Sequence, residues 1–285
     1  MARSYLFVPG DSEKKLAKGL AGDADALFID LEDSVAPANK AAARALAAQF
    51  IGANAASRER LWVRVNALST GLTDLDLDAV VAAWPTGILL PKCDGIADVE
   101  TLAQKLSALE ARRGLVDGAI RIIGIVTENA SSVLNLPTFR RGHPRLAGLM
   151  WGPEDLAADL GSASNRDPDG RYAEPFLLAK NLCLLAAKAS GCDAIDTVFT
   201  DIRDLAKLEH ETLAAKRLGF EAKAAIHPDQ VPVINRIYTP TEDELIWARK
   251  IVAAFEAQPD VGVLRIDDRM IDRPHLKQAN RLLGK

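Results

Sequence analysis

Cysteine is scarce in this chain. Cys93, Cys183 and Cys192 are an odd number with no metal-ligand spacing, which excludes a disulfide framework and a cysteine-built zinc site and leaves reduced, packing cysteines. Long apolar runs are missing too. No stretch approaches the roughly 20 residues that a membrane helix needs. At the start, the continuous apolar run is only Tyr5 to Val8 before Pro9 and Gly10, too short for a signal-peptide core. A cytoplasmic protein without a membrane partner is expected. Charge of one sign is also lacking: 35 Lys and Arg against 39 Asp and Glu give a net charge of −4. That speaks against a general nucleic-acid binder, which would carry a basic footprint, while leaving room for a local basic pocket. There is no G-x-G-x-x-G, no P-loop, no G-x-S-x-G elbow, no repeat and no low-complexity segment.

What remains is an ordinary globular composition, 48% apolar and 26% charged over 285 residues. That length suits two average domains or one α/β barrel. Eight short, β-rich apolar runs read as buried parallel strands: Tyr5 to Val8, Ala26 to Asp30, Leu61 to Asn66, Gly87 to Pro91, Ile120 to Thr127, Ala147 to Trp151, Ala194 to Phe199, and Ala222 to Ile226. Between them, Ser12 to Leu20, Lys40 to Phe50, Asp98 to Arg112, Pro175 to Ala189 and Ile202 to Leu218 carry apolar residues at helical spacing. Eight strands with interleaved helices predict a closed (β/α)8 TIM barrel over residues 1–237. The doubly wound open sheet competes, but it uses fewer strands and a glycine-rich phosphate turn. The polar segment Gly161 to Tyr172 reads as a loop long enough to cover a site. Residues 238–285 read as a helical extension, with a helix over Glu242 to Ala257 and a short one opened by Pro274. It either caps the barrel or docks on a neighbouring subunit.

In such a barrel, active-site groups stand at the carboxyl ends of the strands. The predicted strands deliver Asp30, Glu32 and Asp33, then Arg64 and Asn66, Lys92, Glu128, Glu154 and Asp155, Asp201, and His227. So many ionisable groups at one rim are costly unless they pair with each other, a metal or a ligand. Glu128 and Asp155 follow successive strands, and two hard oxygen ligands are how Mg2+ is usually held. The competing reading is that Asp155 or Glu154 only caps the next helix. Arg64 suits a substrate carboxylate through its planar fork, or else a structural ion pair with Asp30 or Glu32. The amides of Gly152, Glu154 and Asp155 are a candidate anion site at a helix start. Lys14, Lys15 and Lys18 are weak candidates for the phosphates of a long ligand, with a solvated helix face as the plainer reading. His227 reads as structural, and Trp62 and Trp151 as core.

Taken in order, the segments RSYLFVPGDSEKKLAK, ADALFIDLEDSVAPANKAAAR, RVN, LPK, TEN, MWGPEDLAADLG, AIHPDQ and RMIDRPHLKQA resemble the citrate lyase beta-subunit-like family, which includes malyl-CoA and citramalyl-CoA lyases. DLEDSVAP together with WGPEDL is a specific combination. The family position of Glu128 is more often followed by Thr-Ala or Ser-Ala, where this chain has Asn129-Ala130.

The resemblance implies a (β/α)8 barrel, usually a homotrimer, with Mg2+ held by Glu128 and Asp155. Arg64 would bind the carboxylate of a 2-oxoacid, and Glu32 and Asp33 would hold metal-bound waters. The retained RMIDRPHLKQA tail matches a segment whose acid, here Asp272, reaches a neighbour's site and transfers a proton. The activity implied is cleavage of a 3-hydroxy-3-carboxyacyl-CoA thioester to acetyl-CoA and a 2-oxoacid. Pyruvate would mean citramalyl-CoA and glyoxylate malyl-CoA, with the former preferred. Three alternatives stand beside it: a citrate lyase beta subunit working on a citryl thioester of an acyl-carrier protein, a non-catalytic Mg2+- and oxoacid-binding protein, and a metal-independent barrel enzyme.

Overall fold

A computed structural model describes residues 2–284. Eight strands, β1 (Ser4–Pro9), β2 (Ala26–Asp30), β3 (Leu61–Arg64), β4 (Gly87–Leu90), β5 (Arg121–Ile125), β6 (Leu146–Met150), β7 (Asp193–Asp196) and β8 (Ala222–Ala225), pair in sequence order. All pairs are parallel, and β8 returns to β1 to close the barrel. The connecting helices are α1 (Glu13–Ala21), α2 (Lys40–Ala53), α3 (Thr73–Val80), α4 (Ile96–Arg113), α5 (Ala130–Asn135), α6 (Pro153–Asp159), α7 (Glu174–Ser190), α8 (Leu205–Leu218) and α9 (Gln230–Tyr238). The predicted (β/α)8 barrel is therefore the observed fold. Among the described residues, no helix is long and apolar enough to cross a membrane.

The barrel interior is filled by alternate strand residues, as the two-residue period of a strand demands. Tyr5, Phe28, Trp62, Leu89, Ile123, Met150 and Ile195 meet there, and β8 contributes only Ala222 and Ala224. Large rings on one side are accommodated by small residues on the other: Tyr5 stacks on Phe28 at 4.8 Å and meets Trp62 edge-on. Gly87 belongs to the same fit, because a Cβ there would lie 2.1 Å from the Trp62 ring and 2.7 Å from the Arg121 carbonyl oxygen.

Several strands are shorter than predicted at their carboxyl ends. β3 stops at Arg64 rather than Asn66, β5 at Ile125 rather than Thr127, and β7 at Asp196 rather than Phe199. Val65, Val126, Thr127 and Phe199 are still buried, so the apolar run outlasts the ladder and continues into the rim loops. The loop before α7 is held in place at several points. Arg166 pairs with Glu211 at 2.8 Å and covers the Tyr172 ring, which packs edge-on against Trp151.

Contacts divide the chain into two compact units, Met1–Ile237 and Tyr238–Lys285. The second holds α10 (Glu242–Ala257), the strands β9 (Val263–Ile266) and β10 (Arg269–Asp272), and α11 (Arg273–Leu282). Thr241 and Glu244 form a capping box that starts α10. The small core joins Ile251, Val252 and Phe255 to Ile266, Ile271 and Ala279. The antiparallel hairpin corrects the purely helical reading of this segment. Its turn uses Asp267 and Asp268, both at positive φ (46° and 61°), as a two-residue turn of the mirror-image type requires.

Candidate active site

Every strand of a parallel barrel points its carboxyl end to the same face. There the rim residues of β1, β2, β3, β5, β6, β7 and β8 enclose a cavity of about 440 Å³ in the first unit, lined by Asp30, Asp33, Arg64, Glu128, Glu154 and Asp155 on its polar side. Its apolar side includes Phe7, Ile125, Met150, Val198 and Ile226.

Arg64 ends β3 and is nearly buried, with 12% of its side chain exposed. Asp30, in register with it on β2, accepts hydrogen bonds from its Nε and Nη2, each at 2.7 Å. Nη1 lies 2.9 Å from Glu32 and 3.6 Å from Asp33. The ion-pair reading of Arg64 is thus realised, yet the residue also lines the cavity. Asp30 takes two of the five guanidinium donors and fixes its plane, leaving the rest for Glu32 and a ligand. Burial pushes the Asp30 carboxyl up, and the Arg64 charge overrides it and holds it below the usual range. Glu32 moves the other way, raised by burial despite Arg64 and Lys92.

Glu128 follows β5 and is buried, and its carboxyl comes within hydrogen-bonding reach of Asp155. Burial and that neighbouring carboxylate push it well above the ordinary carboxyl range. Gly152 makes the approach possible: a Cβ there would sit 3.0 Å from the Glu128 Cγ. Asp155 lies in the first turn of α6, and Gly152 at the cap has no side chain to offer. Asp155 does not cap the helix, so the sequence alternative of a mere cap fails for it, while the Glu154 carboxylate accepts a hydrogen bond from Asn165 at 3.0 Å.

The predicted anion site loses one donor. The Gly152 amide is donated to Thr127 Oγ1 at 2.9 Å, because the chain turning off β6 must satisfy its own backbone at the rim. Lys14, Lys15 and Lys18 are exposed on α1 and do not line the cavity, which matches the solvated-face reading. Asp272 belongs to the second unit. It ends β10, caps α11, and its carboxylate is 2.5 Å from His275 Nδ1. Asp201 is exposed, and His227 caps only its own loop through the amide of Asp229.

Two features escaped the sequence reading. Lys92 takes a left-handed conformation (φ 50°), donates its amide to the Glu128 carboxylate, and places Nζ 2.6 Å from Glu32. The LPK segment marked its position but not this conformation. Behind the cavity, the indole of Trp151 donates to Asp196 at 2.7 Å, and Asp196 also accepts from the fully buried Lys223 at 2.7 Å. Lys180 adds a second ammonium at 3.1 Å. No spacing in the sequence announces a pairing between residues on β7, β8 and α7.

Two carboxyls in contact, both hard oxygen donors, fit a divalent cation of the Mg2+ type. Neither cysteine nor histidine lines the cavity. Among the described residues, no three His, Cys, Asp or Glu side chains form a ready cage, so water and substrate would complete the shell of such an ion, as is usual for Mg2+.

Comparison with known proteins identifies the family. A profile of the HpcH/HpaI aldolase/citrate lyase family matches residues 3–228, and one described as a C-C bond lyase of the TIM-barrel fold matches residues 180–285. The chain is 36% identical over 283 residues to a citrate lyase subunit beta-like protein of Mycobacterium tuberculosis, covering 99% of this chain and 94% of that protein. It is 31% identical over 291 residues to the mitochondrial citramalyl-CoA lyase of Mus musculus, covering 99% and 85%. Among solved structures, the CitE protein of M. tuberculosis in complex with magnesium, acetoacetate and coenzyme A superposes with a TM-score of 0.80 at 34% identity, covering 99% of this chain and 97% of that one. The chain belongs to the HpcH/HpaI aldolase/citrate lyase family and is a lyase-family enzyme built on a closed (β/α)8 barrel.

Proposed function

We propose that this enzyme is a Mg2+-dependent carbon–carbon lyase that cleaves a 3-hydroxy-3-carboxyacyl-CoA thioester, citramalyl-CoA before malyl-CoA, to acetyl-CoA and a 2-oxoacid. The observation that carries the reading is the meeting of Glu128 and Asp155 beside Arg64 in the rim cavity. A solved relative with magnesium, acetoacetate and coenzyme A supports the ligand classes.

Glu128 and Asp155 would hold the ion, and Glu32 and Asp33 would orient its waters from behind. When bound there, Mg2+ would supply Lewis acidity toward the substrate hydroxyl and offset negative charge developing on its oxygen. Arg64, its plane set by Asp30, grips the substrate carboxylate and aligns the C2–C3 bond for scission. The amides of Glu154 and Asp155 complete that grip; Gly152 contributes its lack of a side chain. As the hydroxyl proton passes to solvent water, its oxygen becomes the oxoacid carbonyl and the C2–C3 electron pair passes to the thioester enolate. Asp272 protonates that enolate and regains its proton from solvent; in reverse it takes a proton from the acetyl methyl. Residues 238–285 form the unit that delivers this acid to a neighbouring subunit of a homotrimer. The apolar wall of Phe7, Val198 and Ile226 receives the oxoacid substituent. One methyl is worth only about 1–3 kcal/mol there, so both thioesters are expected to turn over.

The test is turnover of racemic citramalyl-CoA and malyl-CoA with and without Mg2+, with the released oxoacid trapped. Asp272→Asn is expected to lower turnover by about 10²–10⁴-fold, and mixing it with inactive Glu128→Gln protomers is expected to restore part of it. Failure to cleave either thioester with metal present refutes the reading, and cleavage of carrier-bound citryl thioester alone transfers it to the citrate lyase beta activity.

A further inference from the structure

Lys92 is surrounded by the acids of the site but does not line the cavity. Its Nζ lies 2.6 Å from Glu32, 3.6 Å from Asp155 and 3.9 Å from Asp33. Those contacts, with the adjacent Glu128, lift its pKa against the burial that would lower it. The left-handed backbone at φ 50° is what lets one residue serve both carboxylates of the pair, its amide meeting Glu128 and its ammonium approaching Asp155. A non-glycine residue holds that conformation only where its surroundings impose it.

The charge balance shows what the ammonium does. Asp30, Glu32, Asp33, Glu128 and Asp155 are five carboxyls, and Arg64 and Lys92 are the cations paired with them. Arg64 gives two hydrogen bonds to Asp30. Lys92 therefore shares Glu32 with Arg64 and is the cation paired with Asp155, on the flank of the pair assigned to the metal. A positive charge a few ångströms from those oxygens opposes a dication approaching them.

We propose that Lys92 is an internal cation that competes with the divalent metal for these carboxylates and so sets the metal affinity of the site. It acts through the carboxylates and not on substrate, which makes it a positioning residue. It keeps the acids together before the metal arrives and weakens their joint pull on it, so that loading is reversible. The inference rests on the metal reading above.

The test is calorimetric titration of the full chain with Mg2+ alone, without substrate. Lys92→Met keeps the stem and removes the charge. Lys92→Gly also keeps the amide offered to Glu128 and suits the left-handed backbone. Both variants are expected to bind Mg2+ at least fivefold more tightly than the wild type, and Lys92→Arg to stay within twofold of it. A merely structural lysine would give the opposite sign, because a disordered site binds metal less well. Equal or weaker binding by the Met and Gly variants overturns the proposal. A wild-type chain that takes up no Mg2+ overturns the metal reading itself. If neither variant folds, amine acylation of the wild type decides, read at the Lys92 peptide by mass spectrometry. Mg2+ is expected to raise labelling of Lys92 at least twofold by releasing it from Asp155, and unchanged or lower labelling overturns the proposal.

Discussion

Asp196→Asn removes the one carboxylate shared by Lys223, Lys180 and Trp151. In the wild type, burial pushes the Asp196 carboxyl up, but the two ammonium groups and the hydrogen bonds from Lys223 and Trp151 outweigh it and hold it far below the usual range. Its contribution is therefore complete above the unfolded value of about pH 4 and is lost only as acid titrates the folded group. Lys223 is fully buried, and burial lowers its pKa despite Asp196. Asparagine still accepts from the indole but leaves the Lys223 ammonium, which also donates to the Thr197 carbonyl at 2.7 Å, without a counter-charge. Breaking one side of a buried ion pair costs about 3–5 kcal/mol, a large share of the roughly 5–15 kcal/mol that a domain has.

The sign with pH follows from the lysine. Its folded pKa falls further in the variant, so between that value and about 10.5 the unfolded chain binds more protons and stability rises with pH. The deficit is expected to be largest near neutrality and to narrow toward pH 10. Urea unfolding at pH 7 and pH 9.5 measures it, with Trp62, Trp84 and Trp151 reporting on the barrel. Adding Lys223→Met is expected to recover at least ~1 kcal/mol, since the stranded charge is gone. A loss below about 1 kcal/mol at neutral pH, or a deficit that widens with pH, would refute the reasoning.

Gly152→Ala tests the carboxylate pair without backbone strain, because Gly152 sits at φ −128°. The new Cβ would lie 3.0 Å from Glu128 Cγ and 3.2 Å from Ile125 Cγ2; a cost of about 1–3 kcal/mol in stability and weaker Mg2+ binding are expected by denaturation and calorimetry. Arg64→Lys keeps the charge but loses the fork that joins Asp30 to a carboxylate. A misplacement of about 1 Å can cost about 10²-fold, so kcat/KM for the thioester is expected to fall by about that factor, and a change under threefold would remove Arg64 from the site.

Much of the barrel was legible because burial on both faces leaves each strand as an apolar run bounded by turns. β2 and α10 fall at their predicted bounds, Ala26–Asp30 and Glu242–Ala257. α3 (Thr73–Val80) was not anticipated: its TDLDLDAV sequence reads as charged, yet Asp76 is buried against Arg44 and Asn66. α9 begins with Pro232 in its first turn, a position that tolerates proline but masks the helical pattern. The hairpin was hidden because Asp-Asp is a weaker turn signal than Asn-Gly. At the site, the rim position of Arg64, Glu128 and Asp155 followed from where strands end. What Lys92 contributes depends on a left-handed φ, and the Asp196–Lys223 pair on a register between strands, neither of which is written in local sequence.

The near-absence of bulk on β8 reaches beyond packing. With only alanines inside the barrel there, Tyr5 and Phe28 have room, and the greasy half of the rim is assembled largely from Phe7, Val198 and Ile226 on β1 and the ends of β7 and β8. The ionic half hangs from β2 to β6. Exchanging aliphatic residues on those strands would therefore reshape the apolar wall without touching the carboxylates and Arg64 across the mouth.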